Sequence, residues 1–218
     1  MRYKYLFFDL DGTLTASGEG IANAARYALE QMGIVENDRE KLMKFVGPPL
    51  KETFPAFYGF NETETELAIK HFRVYYGEKG MYENRPYPGI EALLAKLRKK
   101  GYYTAIATSK LESVALSVVD HFDLHRYFDL VAGGTVDESR CDKASVLRYA
   151  METAGVLDSP DNAVMIGDRK HDIIGAKANG IDSIGVLYGY GNRPELEAAG
   201  ADYIVGTVAE LEELLCGE

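Results

Sequence analysis

The residues FFDLDGTLT, at positions 7–15, mark the point where a buried strand gives way to an acidic turn. The aromatic and apolar run Tyr3–Phe8 overlaps their start, and such a run is typical of a strand buried in a sheet. Asp9 and Asp11 follow two residues apart, and Gly12 permits a tight turn and a close approach of backbone N–H groups to phosphate. The pattern therefore predicts a first strand that delivers two carboxylates to its carboxyl end.

The chain beyond this turn is predicted to be helical at first. Between Ile21 and Met32 the apolar residues recur with the spacing of one helix face, and Asn61 with Glu64 forms a candidate capping box. We interpret residues 17–82 as an all-helical insert. Its further helical segments are predicted at Leu42–Val46, Leu50–Phe57 and Leu67–Tyr76.

From Pro86 onward strands alternate with helices, which predicts right-handed crossovers and a parallel sheet. The expected fold class is α/β, with a doubly wound parallel sheet in a Rossmann-like catalytic core (residues 1–16 and 83–218) and 17–82 as an inserted helical cap domain. The predicted strands are Tyr103–Ala107, Leu130–Val131, Ala163–Ile166, Ser183–Leu187 and Tyr203–Val205. The predicted helices are Ile90–Leu97, Glu112–Phe122, Lys143–Ala154, Asp172–Asn179, Glu195–Ala199 and Thr207–Leu215.

Composition narrows the class of protein. The 218 residues are 46% hydrophobic and 27% charged, which argues against a disordered chain, and the net charge of −10 argues against binding a nucleic acid polymer or an anionic membrane. Cys141 and Cys216 form no CxxC pair, so neither a disulfide framework nor a thiolate zinc site is expected. No apolar stretch approaches the roughly 20 residues of a membrane span. We expect a soluble cytoplasmic protein, either a monomer or a homodimer.

Polar groups follow the predicted strands at one common edge. Because the carboxyl ends of parallel strands meet at the same edge of a sheet, these groups are expected to converge there. Carboxylates, a hydroxyl pair and a lysine together suit chemistry on a phosphate. The glycines between 185 and 191 lack the spacing of a dinucleotide motif and are interpreted as turn residues. The converging groups are Asp9, Asp11, Thr108, Ser109, Lys143, Asp168 and Asp172.

Each group has a chemical task that its type permits. Asp9 can attack phosphorus as a nucleophile, and Asp11 can protonate the leaving oxygen and then deprotonate the attacking water. Thr108 can hold phosphate oxygens, and Lys143 can neutralise charge on the transferring group. Since Asp9 and Asp168 would repel a phosphate dianion, a hard, oxygen-bound cation is needed, which indicates Mg2+.

The motifs DLDGTLT at 9–15, ATSK at 107–110, Lys143 in CDKAS and GDRKHD at 167–172 resemble those of the haloacid dehalogenase superfamily. The resemblance spans the chain and points to its phosphoglycolate-phosphatase-like and 5'-nucleotidase-like branch. It implies that the insert is the superfamily's first-type cap.

The resemblance also implies roles for individual residues. It makes Asp9 the nucleophile and Asp11 the general acid and base, and it places Mg2+ on Asp9, Asp168 and the backbone carbonyl of Asp11. Thr108, Ser109 and Lys143 would hold the phosphate together with Gly12. Asp172 would support the site by orienting metal-bound water or the surroundings of Lys143.

The predicted function is Mg2+-dependent hydrolysis of a small-metabolite phosphomonoester through an aspartyl-phosphate, as in a phosphoglycolate phosphatase. A 5'-nucleotidase and a sugar-phosphate phosphomutase would use the same first residues. A phospho-accepting signalling domain is the non-enzymatic alternative, although its phosphorylated Asp follows a middle strand. The insert is expected to close over the site and select the substrate, with Gly47, Pro49 and Lys51 in the candidate substrate loop.

Overall fold

The computed structural model describes residues 2–137 and 139–217, which form two compact units. The insert unit is Ala16–Arg85, and the core unit comprises the residues up to Thr15 and from Pro86 onward. The predicted insert, residues 17–82, lies within the insert unit. Among the described residues, no helix combines the length and the apolar character that a membrane crossing requires.

The insert unit is built from helices, with buried alanine and aromatic side chains between them. Asn61 accepts a hydrogen bond from the N–H of Glu64 at 3.0 Å, and the Glu64 carboxylate accepts one from the N–H of Asn61 at 2.9 Å, so the predicted capping box is confirmed. The rings of Phe45 and Phe54 meet edge to face with 4.9 Å between centroids. The helices are α1 (Gly18–Gln31), α2 (Arg39–Met43), α3 (Leu50–Tyr58) and α4 (Glu62–Tyr75), and α4 continues as a π-helical turn over Tyr76–Gly80.

The candidate substrate loop of the insert unit precedes and begins α3. Gly47 has a φ of 102°, and Pro49 is the N-cap residue of α3. Lys51 lies in the first turn of that helix and is exposed. Its contribution to substrate selection stays a prediction.

The core unit contains a parallel sheet that has six strands within the described residues, in the order β3-β2-β1-β4-β5-β6. Helices connect successive strands, and the predicted doubly wound α/β class is confirmed. The strands are β1 (Tyr5–Phe8), β2 (Tyr103–Leu111), β3 (Leu130–Gly134), β4 (Ala163–Gly167), β5 (Asp182–Val186) and β6 (Tyr203–Val205).

Strand β1 lies at the centre of the sheet, between β2 and β4. Phe8 pairs with Ile106 on one side and with Ile166 on the other, and all three side chains are fully buried. The strand order reverses at this point, because the chain passes from β3 back across the sheet to β4. Ligands of open α/β sheets bind at such a switch point, beyond the carboxyl ends of the strands.

Strands β2 and β3 are several residues longer than the sequence predicts, and β4 is one residue longer. Strand β2 continues past Ala107 to Leu111, with a register shift against β3 that ends at the pairing of Leu111 with Gly134. The sequence predicts that these two strands end at Ala107, where polar residues follow, and at Val131. Gly133 is needed in the longer β3 because a Cβ there would overlap the backbone of Glu112.

The helices of the core unit cover both faces of the sheet. The predicted apolar face of the helix that begins at Lys143 is confirmed, since Val146, Leu147, Ala150 and Met151 are all fully buried against the sheet. The helices are α5 (Ile90–Lys99), α6 (Glu112–His121), α7 (Lys143–Thr153), α8 (Lys170–Ala178), α9 (Arg193–Ala199) and α10 (Val208–Cys216).

Truncation of a leucine on this face tests the packing. Leu147→Ala is expected to lower the free energy of unfolding by about 2–5 kcal/mol, because it removes buried methyl groups and leaves a cavity. Leu116→Ala makes the same change at a 43% exposed position of α6, where an effect within about 0.5 kcal/mol is expected. Urea denaturation of both variants measures the difference, and equal losses would contradict the assignment of Leu147 to the core.

Candidate active site

The carboxyl edge of the sheet brings Asp9 and Asp168 together from the two central strands. Asp9 directly follows β1, and its N–H donates to the carbonyl of Ile166 in β4 at 2.9 Å. Asp168 directly follows β4, and its side chain is completely buried. The two carboxylates thus occupy the switch point because adjacent strands end side by side there.

Lys143 joins the acids from the first position of α7. Its ammonium group lies 2.7 Å from Asp9 Oδ1 and 2.9 Å from Asp172 Oδ1, and it donates to the carbonyl of Ala107 at 2.9 Å. These three contacts match the three donors of an ammonium group. Close packing assists, because a Cβ at Gly175 of α8 would lie 2.9 Å from the Lys143 side chain.

A capping box determines where α7 begins, and thereby where Lys143 lies. The Asp142 carboxylate accepts from the N–H of Ser145 at 2.7 Å, and the Ser145 hydroxyl accepts from the N–H of Asp142 at 3.4 Å. The helix therefore starts at Lys143 itself. Local capping chemistry thus holds the lysine at the edge of the site.

The electrostatics of this cluster favour a further positive charge. Burial raises the pKa of Asp9 to about 6 despite the adjacent Lys143. Burial, followed by the charges of Asp172 and Asp9, raises the pKa of Asp168 well above its usual value. Burial opposes the charge on Lys143, yet Asp172 and Asp9 raise its pKa above the ordinary value. One ammonium group thus does not balance three buried carboxyl groups.

The donor set fits a divalent cation such as Mg2+. Asp9, Asp168 and Asp172 each offer a carboxylate oxygen, and these oxygens lie within 4.8 Å of one another. Oxygen donors on buried carboxylates suit a hard cation. Asp168 is held by the N–H of Tyr190 at 2.8 Å and Asp172 by the N–H of Arg169 at 3.0 Å, so both are oriented by backbone donors.

Asp11 points to a different partner. Its carboxylate oxygens lie 2.8 and 2.9 Å from the ammonium group of Lys110, at the end of β2. Both side chains are largely buried. The predicted metal contact of Asp11 was through its backbone carbonyl, which leaves its carboxylate available for a separate task.

Lys110 is a site residue to which the sequence analysis assigned no role. The signal was present, because Lys110 directly follows the hydroxyl pair in the motif ATSK. A lysine in a polar stretch is ordinarily solvated, and only the extension of β2 places this one against Asp11.

The remaining predicted phosphate ligands differ in exposure. Thr108 is 2% exposed, whereas Ser109 is exposed. Gly12 has a φ of 83°, and a Cβ there would overlap the Asp168 carboxylate. Gly12 is thus required by both conformation and space, while the phosphate contacts of all three residues stay predictions.

Comparison with known proteins identifies the family. The family model of the haloacid dehalogenase-like hydrolases matches residues 6–186. The chain belongs to this family. The resemblance inferred from the motifs is therefore confirmed, as is the prediction that the chain is an enzyme of the phosphatase type.

Relatives of this haloacid dehalogenase-like hydrolase carry several names. A 5'-nucleotidase of Pseudomonas aeruginosa is 38% identical over 215 residues, covering 99% of this chain and 96% of the relative. The tyrosine-protein kinase PtkA of Mycobacterium tuberculosis is 39% identical, covering 97% of this chain and 72% of the relative. A phosphoglycolate phosphatase of Neisseria meningitidis is 35% identical, covering 95% of this chain and 92% of the relative.

A solved structure agrees with the whole fold. The crystal structure of a predicted phosphatase from Clostridium acetobutylicum is 46% identical in sequence and superposes with a TM-score of 0.93, over 99% of both chains. The family and its α/β fold therefore rest on both sequence and structure.

Replacement of Lys143 tests the buried cluster. Lys143→Met is expected to lower the free energy of unfolding by about 3–5 kcal/mol without metal, because it leaves Asp9 and Asp172 without their ammonium partner. Lys170→Met is the matched control, since Lys170 is exposed at the first position of α8. Denaturation in EDTA measures both variants, and an equally small effect of the two would contradict the assigned ion pairs.

Proposed function

We propose that the protein hydrolyses phosphomonoesters of small metabolites with Mg2+, through an aspartyl-phosphate on Asp9, in the manner of a phosphoglycolate phosphatase. The observation that carries the proposal is the buried contact of Asp9 with Lys143 at 2.7 Å, next to Asp168 and Asp172. This arrangement supports the proposal because it combines, at the switch point of the sheet, a carboxylate that can attack phosphorus, a positive charge and oxygens that can bind a cation.

In the first step, a carboxylate oxygen of Asp9 forms a bond to phosphorus as the bond from phosphorus to the leaving oxygen breaks. Asp11 enters this step in its acid form, gives its proton to that leaving oxygen and becomes a carboxylate. Lys143 keeps Asp9 oriented and stabilises negative charge on the transferring group. A cation bound by Asp9, Asp168 and Asp172 would supply further charge neutralisation at the phosphoryl oxygens.

In the second step, water attacks the phosphorus of the aspartyl-phosphate, and Asp11 takes the proton of that water. The bond between phosphorus and the Asp9 oxygen breaks, which releases inorganic phosphate and restores both carboxyl groups. The geometry is compatible with this separate role, because the Asp11 carboxylate contacts Lys110 and takes no part in the contact of Asp9 with Lys143. Two carboxylates with different partners can take different tasks.

A 5'-nucleotidase is the second candidate function. The Pseudomonas aeruginosa relative with that name is 38% identical over 99% of this chain, and the same catalytic residues would serve either substrate. We propose that the insert unit, with Gly47, Pro49 and Lys51, selects the leaving group. Membership in a hydrolase family disfavours the phospho-accepting signalling domain.

Phosphate release from a substrate panel tests the proposal. The panel contains phosphoglycolate, nucleoside 5'-monophosphates, hexose phosphates and ATP, each with Mg2+ or EDTA. We expect Mg2+-dependent release from a monoester, reduced at least about 1,000-fold in Asp9→Asn, since an amide is a poor nucleophile. Asp161→Asn, at an exposed position, is the matched control.

The outcomes separate the alternatives. Full activity of Asp9→Asn would overturn the mechanism. Isomerisation of a hexose phosphate without phosphate release would indicate a phosphomutase. Protein phosphorylation from ATP, with no release from any monoester, would contradict a hydrolase and agree instead with the name of the mycobacterial relative.

Lys110→Met tests the separate role of Asp11. We expect kcat on the best panel substrate to fall about 10- to 100-fold with a smaller change in KM, because the Asp11 carboxylate loses the partner that orients it. Lys99→Met, an exposed change near the end of α5, is the control. Steady-state kinetics decide, and an unchanged kcat would show that Lys110 does not act through Asp11.

A further inference from the structure

The segment that follows β5, residues 188–191, is hydrogen-bonded to two loops that carry acidic residues of the site, the loop after β1 and the loop after β4. The N–H of Tyr190 donates to Asp168 Oδ2 at 2.8 Å, and the hydroxyl of Tyr188 donates to the carbonyl of Thr13 at 3.2 Å. Thr13 belongs to the turn after β1, and Asp168 follows β4. One short segment, called here the Tyr-Gly segment, therefore holds both loops by hydrogen bonds.

Glycines within the Tyr-Gly segment allow it to approach the site closely. A Cβ at Gly189 would overlap the carbonyl oxygen of Gly12 and the side chain of Asp168. A Cβ at Gly191 would overlap the carbonyl oxygen of Asp168. Gly189 does not have a positive φ, so its requirement is one of space rather than of backbone conformation.

The ring of Tyr188 is itself supported within the core unit. Tyr87 meets it edge to face, with 5.0 Å between ring centroids. Burial, followed by the charge of Asp168, raises the pKa of Tyr188 above its usual value, so its hydroxyl stays protonated. It can therefore remain a donor to Thr13 over the pH range in which the enzyme would be assayed.

We propose that the Tyr-Gly segment is a positioning element that sets the separation between Asp168 and the turn after β1, and thereby the affinity of the site for Mg2+. Mg2+ demands near-ideal octahedral geometry with oxygen ligands at about 2.0–2.1 Å, so a small displacement of Asp168 would be costly. Loss of groups that orient metal ligands typically costs about 10- to 100-fold in metal affinity. This inference rests on the metal dependence in the proposed function.

Direct Mg2+ binding to the full chain, measured by isothermal titration calorimetry, tests the inference. Gly189→Ala is expected to weaken binding about 10- to 100-fold, because the added methyl group displaces Asp168 from Gly12. Tyr188→Phe removes only the hydrogen bond to Thr13 and is expected to weaken binding about 10-fold, at the lower end of that range. Gly77→Ala is the matched control, since a Cβ there meets nothing within 4 Å and its φ is not positive.

A second readout separates positioning from general instability. In both variants, the Mg2+ concentration for half-maximal phosphate release should rise with the Mg2+ dissociation constant, while kcat at saturating Mg2+ changes less. Thermal melting in EDTA establishes whether each variant is folded. A merely structural role would lower the melting temperature and leave the Mg2+ affinity of the folded protein unchanged.

The result that overturns the inference is a Mg2+ affinity within twofold of wild type in folded Gly189→Ala. If that variant does not fold, Tyr188→Phe decides by the same criterion. A wild-type protein that neither binds Mg2+ nor needs it for turnover would overturn the proposed metal dependence as well. Failure of this inference alone is therefore distinguishable, because wild type would then bind Mg2+ and the folded variants would bind it equally well.

Discussion

The buried contact of one ammonium group with two carboxylates is the interaction on which the site depends. Lys143 lies between Asp9, from the end of β1, and Asp172, from α8. Removing any one of the three would leave buried charge without its partner, which is among the most costly changes in a protein. The hydrophobic core can tolerate many sequences, whereas this cluster requires specific side chains at the ends of separate elements.

Local patterns were sufficient to predict most of the fold. Strand β1 is a continuous apolar run, and the buried face of α7 repeats with helical spacing, so both were predicted from the sequence. The end of β2 was not, because its polar residues are explained only by pairing with Gly134 and by the contact of Lys110 with Asp11. Such pairing depends on residues distant in sequence, which local propensity does not report.

The sequence likewise predicts some residues of the candidate site and not others. Asp9, Asp168 and Lys143 follow from motif spacing and from the meeting of strand ends at one edge. The contribution of residues 188–191 left no comparable signal, since a backbone N–H donor has no residue type and glycines are usually interpreted as turns. The crowding around Asp168 arises because the loop after β5 approaches the loop after β4 closely, and these loops are distant in sequence.

The extension of β2 has a consequence for which changes of chain length the site can tolerate. Between Ala107 and Leu111 the pairing with β3 shifts its register, and this irregular stretch carries Lys110 to Asp11. A residue inserted or deleted within it would move Lys110 along the strand and away from Asp11, even if every side chain of the site were kept. The number of residues between Ala107 and Leu111 is therefore constrained as well as their identity.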